Sequence, residues 1–123
     1  MEEERIFAGK LFDNRKKELR DIKHKAHILC QKYNSMDEYD EKRLPIIKEF
    51  IGKIGENFFA NFNLTVMDDG KIEIGDNVMF GPNVSLMATN HPLIYNERVA
   101  MKFPDGHVSS SEYAEGIHIG NNV

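Results

Sequence analysis

The sequence predicts a mainly β fold: a short β-helix built from hexapeptide repeats, preceded by an α-helical N-terminal segment. Three observations carry this expectation. A phrase of the form apolar, Gly, polar, Asn, apolar recurs at Ile54-Gly55-Glu56-Asn57-Phe58, Ile74-Gly75-Asp76-Asn77-Val78 and Ile119-Gly120-Asn121-Asn122-Val123. From Ile74 onward the apolar residues fall six apart, Ile74, Phe80 and Leu86 in one row and Val78 and Val84 in another. Before Gly52 they instead recur at the three- and four-residue steps of a helix face.

Residues 14–34 read as the first helix, with Leu19, Ile22, Ala26, Leu29 and Tyr33 on one face and Lys, Arg and Asp on the other. Cys30 falls in this pattern and is expected to be a small core residue. As the single cysteine it can form no internal disulfide, which suits a reducing, cytoplasmic setting. Ser35-Met36-Asp37-Glu38 reads as a capping box. The helix after it carries Leu44, Ile47, Phe50 and Ile51 to the core and stops at Gly52. Pro45 removes a backbone donor and crowds the preceding turn, so a kink or a late restart of the helix is expected there. Residues 1–52 thus form a helical unit and residues 53–123 a partial repeat unit.

In the repeat unit neither a helical nor a two-residue period accounts for the spacing. A coil of three short flat faces does: each leading aliphatic points inward and stacks on its equivalent in the next coil, while Gly and Asn tolerate the corners. Ile54 to Ile74 is 20 residues, close to one coil of about 18. Asp68-Asp69-Gly70 supplies a turn for the small excess. Ile74 to Ile119 is 45 residues, so part of this interval must protrude. Pro92, Pro104, Asp105-Gly106 and Ser109-Ser110-Ser111 place a long loop at 91–116, and His91 stands where it leaves the coil.

Composition narrows the function. Net charge is −4 and the early Lys and Arg residues are interleaved with acids, which argues against nucleic-acid binding. The acidic start, Met1-Glu2-Glu3-Glu4-Arg5, is followed by no apolar stretch of a signal peptide. No apolar run reaches the roughly 20 residues a membrane-spanning helix needs. A soluble, cytoplasmic protein is the expectation.

Gly9-Lys10-Leu11-Phe12 before a charged helix, then Phe59-Ala60-Asn61-Phe62-Asn63-Leu64, Asp68-Asp69, Ile74-Gly75-Asp76-Asn77-Val78, Gly81-Pro82-Asn83-Val84 and Asn90-His91-Pro92 follow one another in this order. Together they resemble the maltose and galactoside O-acetyltransferases of the hexapeptide-repeat superfamily. The resemblance implies a helical N-terminal cap and a left-handed parallel β-helix. It also implies a homotrimer with active sites between subunits, and acetyl transfer from acetyl-CoA to a hydroxyl of a sugar or glycoside.

It also implies site residues. His91 matches the family's catalytic histidine, and a neutral imidazole, with an ordinary pKa of about 6.5, suits removal of a hydroxyl proton. Asn61 matches an asparagine that holds the acceptor, and Phe59 an aromatic position beside it. Asp69 matches an acid that binds acceptor hydroxyls, and equally reads as a turn residue before Gly70. Asn14 and Lys23 fall near acceptor-binding positions held by aspartate and arginine in relatives; differing in type, they receive no role. Cofactor-binding residues are not assigned. His24 and His27 are expected to be exposed on the first helix, His107 to lie in the loop and His118 to point outward. A zinc site like that of γ-class carbonic anhydrases, drawn from His91, His107 and His118, lacks that family's local spacing, so no metal is expected.

Two departures from the family pattern bear on activity. Ile51-Gly52-Lys53-Ile54-Gly55-Glu56-Asn57 runs directly into Phe58, as though two similar phrases had fused and about one coil were deleted. Gly116 replaces the proline usual before the last coil, and the coils that bind CoA in relatives are not in the sequence. The reading is therefore of a truncated form with an internal deletion, whose few coils leave an open edge and invite self-association. Two functions follow: a sugar O-acetyltransferase with His91 as general base, or a catalytically inactive remnant or trimer-assembly module.

Overall fold

The computed structural model describes residue 6, residues 8–67 and residues 71–123. From Phe12 the chain forms a short strand, β1 (Phe12–Asp13), followed by helices α1 (Lys17–Ser35) and α2 (Arg43–Phe50). The first coil is β2 (Lys53–Ile54), β3 (Phe59–Ala60) and β4 (Thr65–Met67). The second is β5 (Ile72–Ile74), β6 (Met79–Phe80) and β7 (Ser85–Met87). After β8 (Thr89–Asn90) come α3 (Tyr95–Ala100), β9 (Met101–Lys102), β10 (Val108–Ser109) and β11 (Ser111–Ala114). The chain then returns to the column as β12 (Ile117–Ile119). Among the described residues, no helix is long and apolar enough to cross a membrane.

The three phrases stack in parallel register. Ile54 and Ile119 both pair with Ile74, Ala60 pairs with Phe80, and Val66 with Leu86. Ile74, Phe80 and Leu86, the row expected to point inward, are all buried. Phe58 meets Phe80 edge to face at 5.5 Å, an arrangement that suits the opposite charge of ring edge and ring face.

The corners follow the same rule. Asn57, Asn63, Asn77, Asn83 and Asn122 all have positive φ, a conformation Asn adopts more readily than other side-chain-bearing residues. Their amides form ladders between coils. Asn57 donates to Asn77 at 2.9 Å, Asn77 to Asn122 at 3.1 Å, and Asn63 to Asn83 at 3.1 Å. Gly precedes the Asn57 and Asn77 corners because the space is already filled: a Cβ on Gly55 would lie 2.2 Å from Asp76 Oδ1, and one on Gly75 2.3 Å from Asn121 Oδ1. Those two oxygens accept the Glu56 and Asp76 amides, each at 2.8 Å.

The helices cover the first coil, and the polar side chains of α1 take up its backbone groups. Ala60 leaves room for Tyr33, whose hydroxyl accepts the Ala60 amide at 3.2 Å. Asn34 accepts the Leu64 amide at 3.0 Å and donates to the Leu64 carbonyl at 2.8 Å. Cys30 Sγ donates to the same carbonyl at 3.1 Å. Arg43, itself buried, donates to the Ala60 carbonyl at 3.0 Å and stands 4.0 Å over the Tyr33 ring. Edge groups of a coil that would otherwise be orphaned are satisfied by helix side chains. Burial pushes the Tyr33 hydroxyl pKa up, against the opposing pull of the Arg43 charge.

Several expectations change. The first helix starts at Lys17 rather than residue 14, because Phe12 and Asp13 are drawn into a strand and Asp13 Oδ1 accepts the Arg15 amide, closing a turn. Ile22 is 65% exposed; the buried stripe runs through Ala26, Cys30 and Tyr33, and the half-buried Lys23 occupies the position in that stripe next to Ile22. Ser35 is the last residue of α1 and its hydroxyl donates to the Lys32 carbonyl, so the capping box does not form. Asp37 and Asp40 turn the chain instead, accepting the Tyr39 and Lys42 amides. Pro45 falls in the first turn of α2, where a missing N–H costs nothing, which realises the late restart. The 91–116 excursion is itself structured, with a helix, a hairpin and β11. His24 and His27 are exposed, as is His118. Asp68, Asp69 and Gly70, with the turn expected there, lie outside the described residues.

Candidate active site

The excursion folds back so that β11 lies between two antiparallel neighbours, β1 from the N-terminal cap and β8 from the second coil. Phe12 pairs with Glu112, and Tyr113 with Asn90. This brings three distant parts of the chain together: Asn14 leaving β1, His91 leaving β8, and Glu112 within β11. α1 adds Lys23.

Glu112 is the hub. It is 8% exposed, and Lys23 Nζ lies 2.5 Å from its Oε2. Asn14 Nδ2 donates to Oε1 at 3.0 Å, and His91 Nε2 faces the same oxygen at 3.8 Å. At 3.8 Å the pair is too far apart for a hydrogen bond, and the contact is ionic only when the ring carries a second proton. The His91 side chain is 57% exposed, open to a partner on its outer side, while Pro92 is buried and fixes the chain beside it. An exposed imidazole backed by a buried, lysine-compensated carboxylate can accept a proton and have the resulting charge balanced.

A second polar group adjoins the first through β1. Asp13 is buried, yet its carboxyl lies below the usual carboxylate range. Burial alone would raise it; bonds from Ser109 Oγ at 2.7 Å, the Arg15 amide at 2.9 Å and His107 outweigh that. His107 Nε2 is 2.8 Å from Asp13 Oδ2, and Nδ1 contacts Asp105. Asp105 and then Asp13 hold the His107 pKa above its ordinary value.

The other expected residues are placed elsewhere in the chain. Phe59 lines a cleft of about 270 Å³ with Tyr33, Arg43 and Phe58, its ring 5.8 Å from the Arg43 guanidinium. Asn61 follows it; unlike the corner asparagines it lacks positive φ, and its Oδ1 accepts the Phe62 amide. Among the described residues, no hydrogen bond, ion pair or ring contact joins Phe59 or Asn61 to His91. Asp69 lies outside the described residues. His107 and His118 are engaged by carboxylates, His118 by Glu73 at 3.3 Å. Among the described residues no three His, Cys, Asp or Glu side chains are grouped to hold a metal.

Glu112 has no counterpart in the sequence reading, because no repeat position or motif marks it. Asn14 and Lys23 did not match in type, yet both converge on Glu112. A signal was present for Lys23: it interrupts an otherwise apolar helix stripe, and a charge in such a place calls for a buried partner.

The arrangement defines a β-helical protein with a helical cap and a histidine-bearing excursion. Comparisons place it among known proteins. The maltose acetyltransferase hexapeptide capping motif matches residues 5–55. The chain is 35% identical to the galactoside O-acetyltransferase of Escherichia coli (strain K12), over 98% of this chain and 65% of that protein. A Saccharomyces cerevisiae relative is 32% identical over 98% of this chain and 68% of its own. A galactoside acetyltransferase solved in complex with coenzyme A superposes with a TM-score of 0.75 at 34% identity, covering 99% of this chain and 67% of that one. A maltose O-acetyltransferase from Clostridium difficile 630 gives 0.76 at 28% identity, covering 99% and 72%.

The chain belongs to the maltose and galactoside O-acetyltransferase family of hexapeptide-repeat proteins, and its column is the left-handed parallel β-helix of that family. It spans 65% of the length of the Escherichia coli relative.

Proposed function

We propose that the chain acts in acetyl-CoA-dependent O-acetylation of a sugar or glycoside hydroxyl, with His91 as general base. The observation that carries this reading is the exposed His91 ring set against buried Glu112, 3.8 Å away, with Lys23 and Asn14 holding the carboxylate. The neutral imidazole takes the acceptor's hydroxyl proton as its oxygen attacks the thioester carbonyl. The carbon–sulfur bond then breaks, and the imidazolium returns the proton to the leaving thiolate. Glu112 supplies a negative charge beside the ring while it is protonated.

Asn61, Phe59 and Asp69 are the proposed acceptor-binding residues. A homotrimer with active sites between subunits, as the family resemblance implies, would let one protomer supply the base and its neighbour the acceptor contacts. The coenzyme A complex of the related galactoside acetyltransferase supports acetyl-CoA as the donor. The test is acetyl-CoA turnover with a panel of sugars, with His91→Ala in parallel. Loss of general base catalysis lowers kcat by about 10²–10⁴-fold. Turnover unaffected by the substitution would sink the base assignment, and absence of both turnover and acetyl-CoA binding would overturn the activity.

A further inference from the structure

The tip of the β9–β10 hairpin is fastened to the site. Its turn, Asp105-Gly106, has Gly106 at φ +90°, and the Phe103 amide donates to the His107 carbonyl at 2.9 Å. The Phe103 and His107 rings stack at 4.8 Å between centroids, 10° from parallel. His107 and Ser109 together occupy both oxygens of buried Asp13. One residue on, Ser110 Oγ donates to Asn14 Oδ1, and Asn14 Nδ2 donates to Glu112, the carboxylate beside His91.

We propose that His107 is a positioning residue: it clamps the hairpin tip onto β1 and so holds Asn14 and Glu112 in place against His91. The proposal rests on the reading of His91 as the base. A buried carboxylate reached from one side only leaves its strand free to shift; bonding from the hairpin and the Arg15 amide together removes that freedom.

The clamp is proton-dependent for a geometric reason. His107 lies between two carboxylates, and only the doubly protonated ring can donate to both. The charged surroundings are Asp105 in the same turn, Asp13 on β1, and Lys16 after β1, which acts on Asp105. On α3, which packs against the hairpin, Arg98 is taken up by the Pro92 carbonyl, and the Glu97 backbone carbonyl accepts from Ser111. Because the folded His107 pKa is raised, the clamp is complete below about pH 6.5, the ordinary value, and loses one bond as pH rises through the raised one. Base catalysis by His91 needs the neutral ring, so loosening of the clamp is read as a fall in turnover on the alkaline side of the profile.

The experiment follows the full chain by NMR and by kcat/KM across pH, comparing the parent with His107→Gln and Asp105→Asn. Expected in the parent is a shift of the Asn14 side-chain amide signals that tracks His107 titration, together with an alkaline fall in kcat/KM. In His107→Gln the tracking and the alkaline fall disappear, and kcat/KM drops about 10- to 100-fold, the scale of a slightly misplaced catalytic group. Asp105→Asn, at a side chain 70% exposed, leaves the fold intact and moves both transitions to lower pH. Asn14 signals that ignore His107 titration overturn the clamp, as does a His107→Gln profile that matches the parent. A parent with no turnover refutes the base reading alone, since the NMR coupling still decides the clamp.

Discussion

Lys23 Nζ and Glu112 Oε2 lie 2.5 Å apart across 89 residues of sequence, with side chains 19% and 10% exposed. One comes from the helical cap and the other from the excursion, so the pair joins the cap to the side of the β-helix that carries His91. Removing one partner leaves a charge with little access to water, whereas replacing both removes the desolvation problem. Lys23→Met is expected to cost about 3 kcal/mol. Lys23→Met combined with Glu112→Gln should recover part of it. Urea unfolding of the two singles and the double measures the coupling; strictly additive losses would show that the pair is not a unit.

Arg43 poses the same question inside the cap. Its guanidinium serves the carbonyls of Tyr33, Glu38 and Ala60 at 3.4, 3.3 and 3.0 Å, and stacks on Tyr33. Lysine keeps the charge but has neither the planar fork nor the stacking face. Arg43→Lys is expected to destabilise by about 2 kcal/mol, the scale of a charged hydrogen bond lost in a buried setting. Chemical denaturation checks it, and a midpoint unchanged from the parent would show that lysine reaches the same carbonyls.

The glycines of the column should divide sharply. A Cβ on Gly75 would meet Asn121 Oδ1 at 2.3 Å and the Gly120 backbone at 2.9 Å, while one on Gly81 meets nothing within 4 Å. Gly75→Ala is expected to cost about 3 kcal/mol, the upper range for overpacking. Gly81→Ala should stay within about 0.5 kcal/mol, as surface changes usually do. Thermal unfolding of the two variants side by side decides the matter; equal melting temperatures would contradict the fit of the coils.

A pH effect is expected on the outer face of β5. Glu73 is held below the usual carboxylate range by hydrogen bonds from Lys71 and then His118, with Lys53 adding its charge. A lowered folded pKa means the contribution is present above the unfolded value, about 4.3, and is lost as pH falls through the folded one. Glu73→Gln should therefore be less stable than the parent at neutral pH, with the two curves converging in acid. Parallel stability curves down to pH 3 would count against this sign.

What was legible in the sequence follows from what repeats. The row Ile74, Phe80, Leu86 and the corner asparagines were readable because each residue meets its own equivalent in the next coil, so local spacing carries the packing. Cys30 and the restart at Pro45 were readable for similarly local reasons. The contacts that assemble the site are not local. Glu112 gains its meaning only when β11 lands between β1 and β8, and Ile22 gives way to Lys23 because that carboxylate waits there. The capping box failed since Ser35 was taken into the helix it was expected to follow.

The asparagine ladder has a consequence for how such chains can change. Asn57 and Asn77 are 20 residues apart, and Asn77 and Asn122 are 45 apart, yet the two rungs measure 2.9 and 3.1 Å. The column is blind to how much chain lies between its rungs. Segments can therefore be grafted in or excised between phrases while the scaffold keeps its register. The 45-residue interval that carries the excursion is such a place, where added chain has brought a candidate site to the column without altering its rungs.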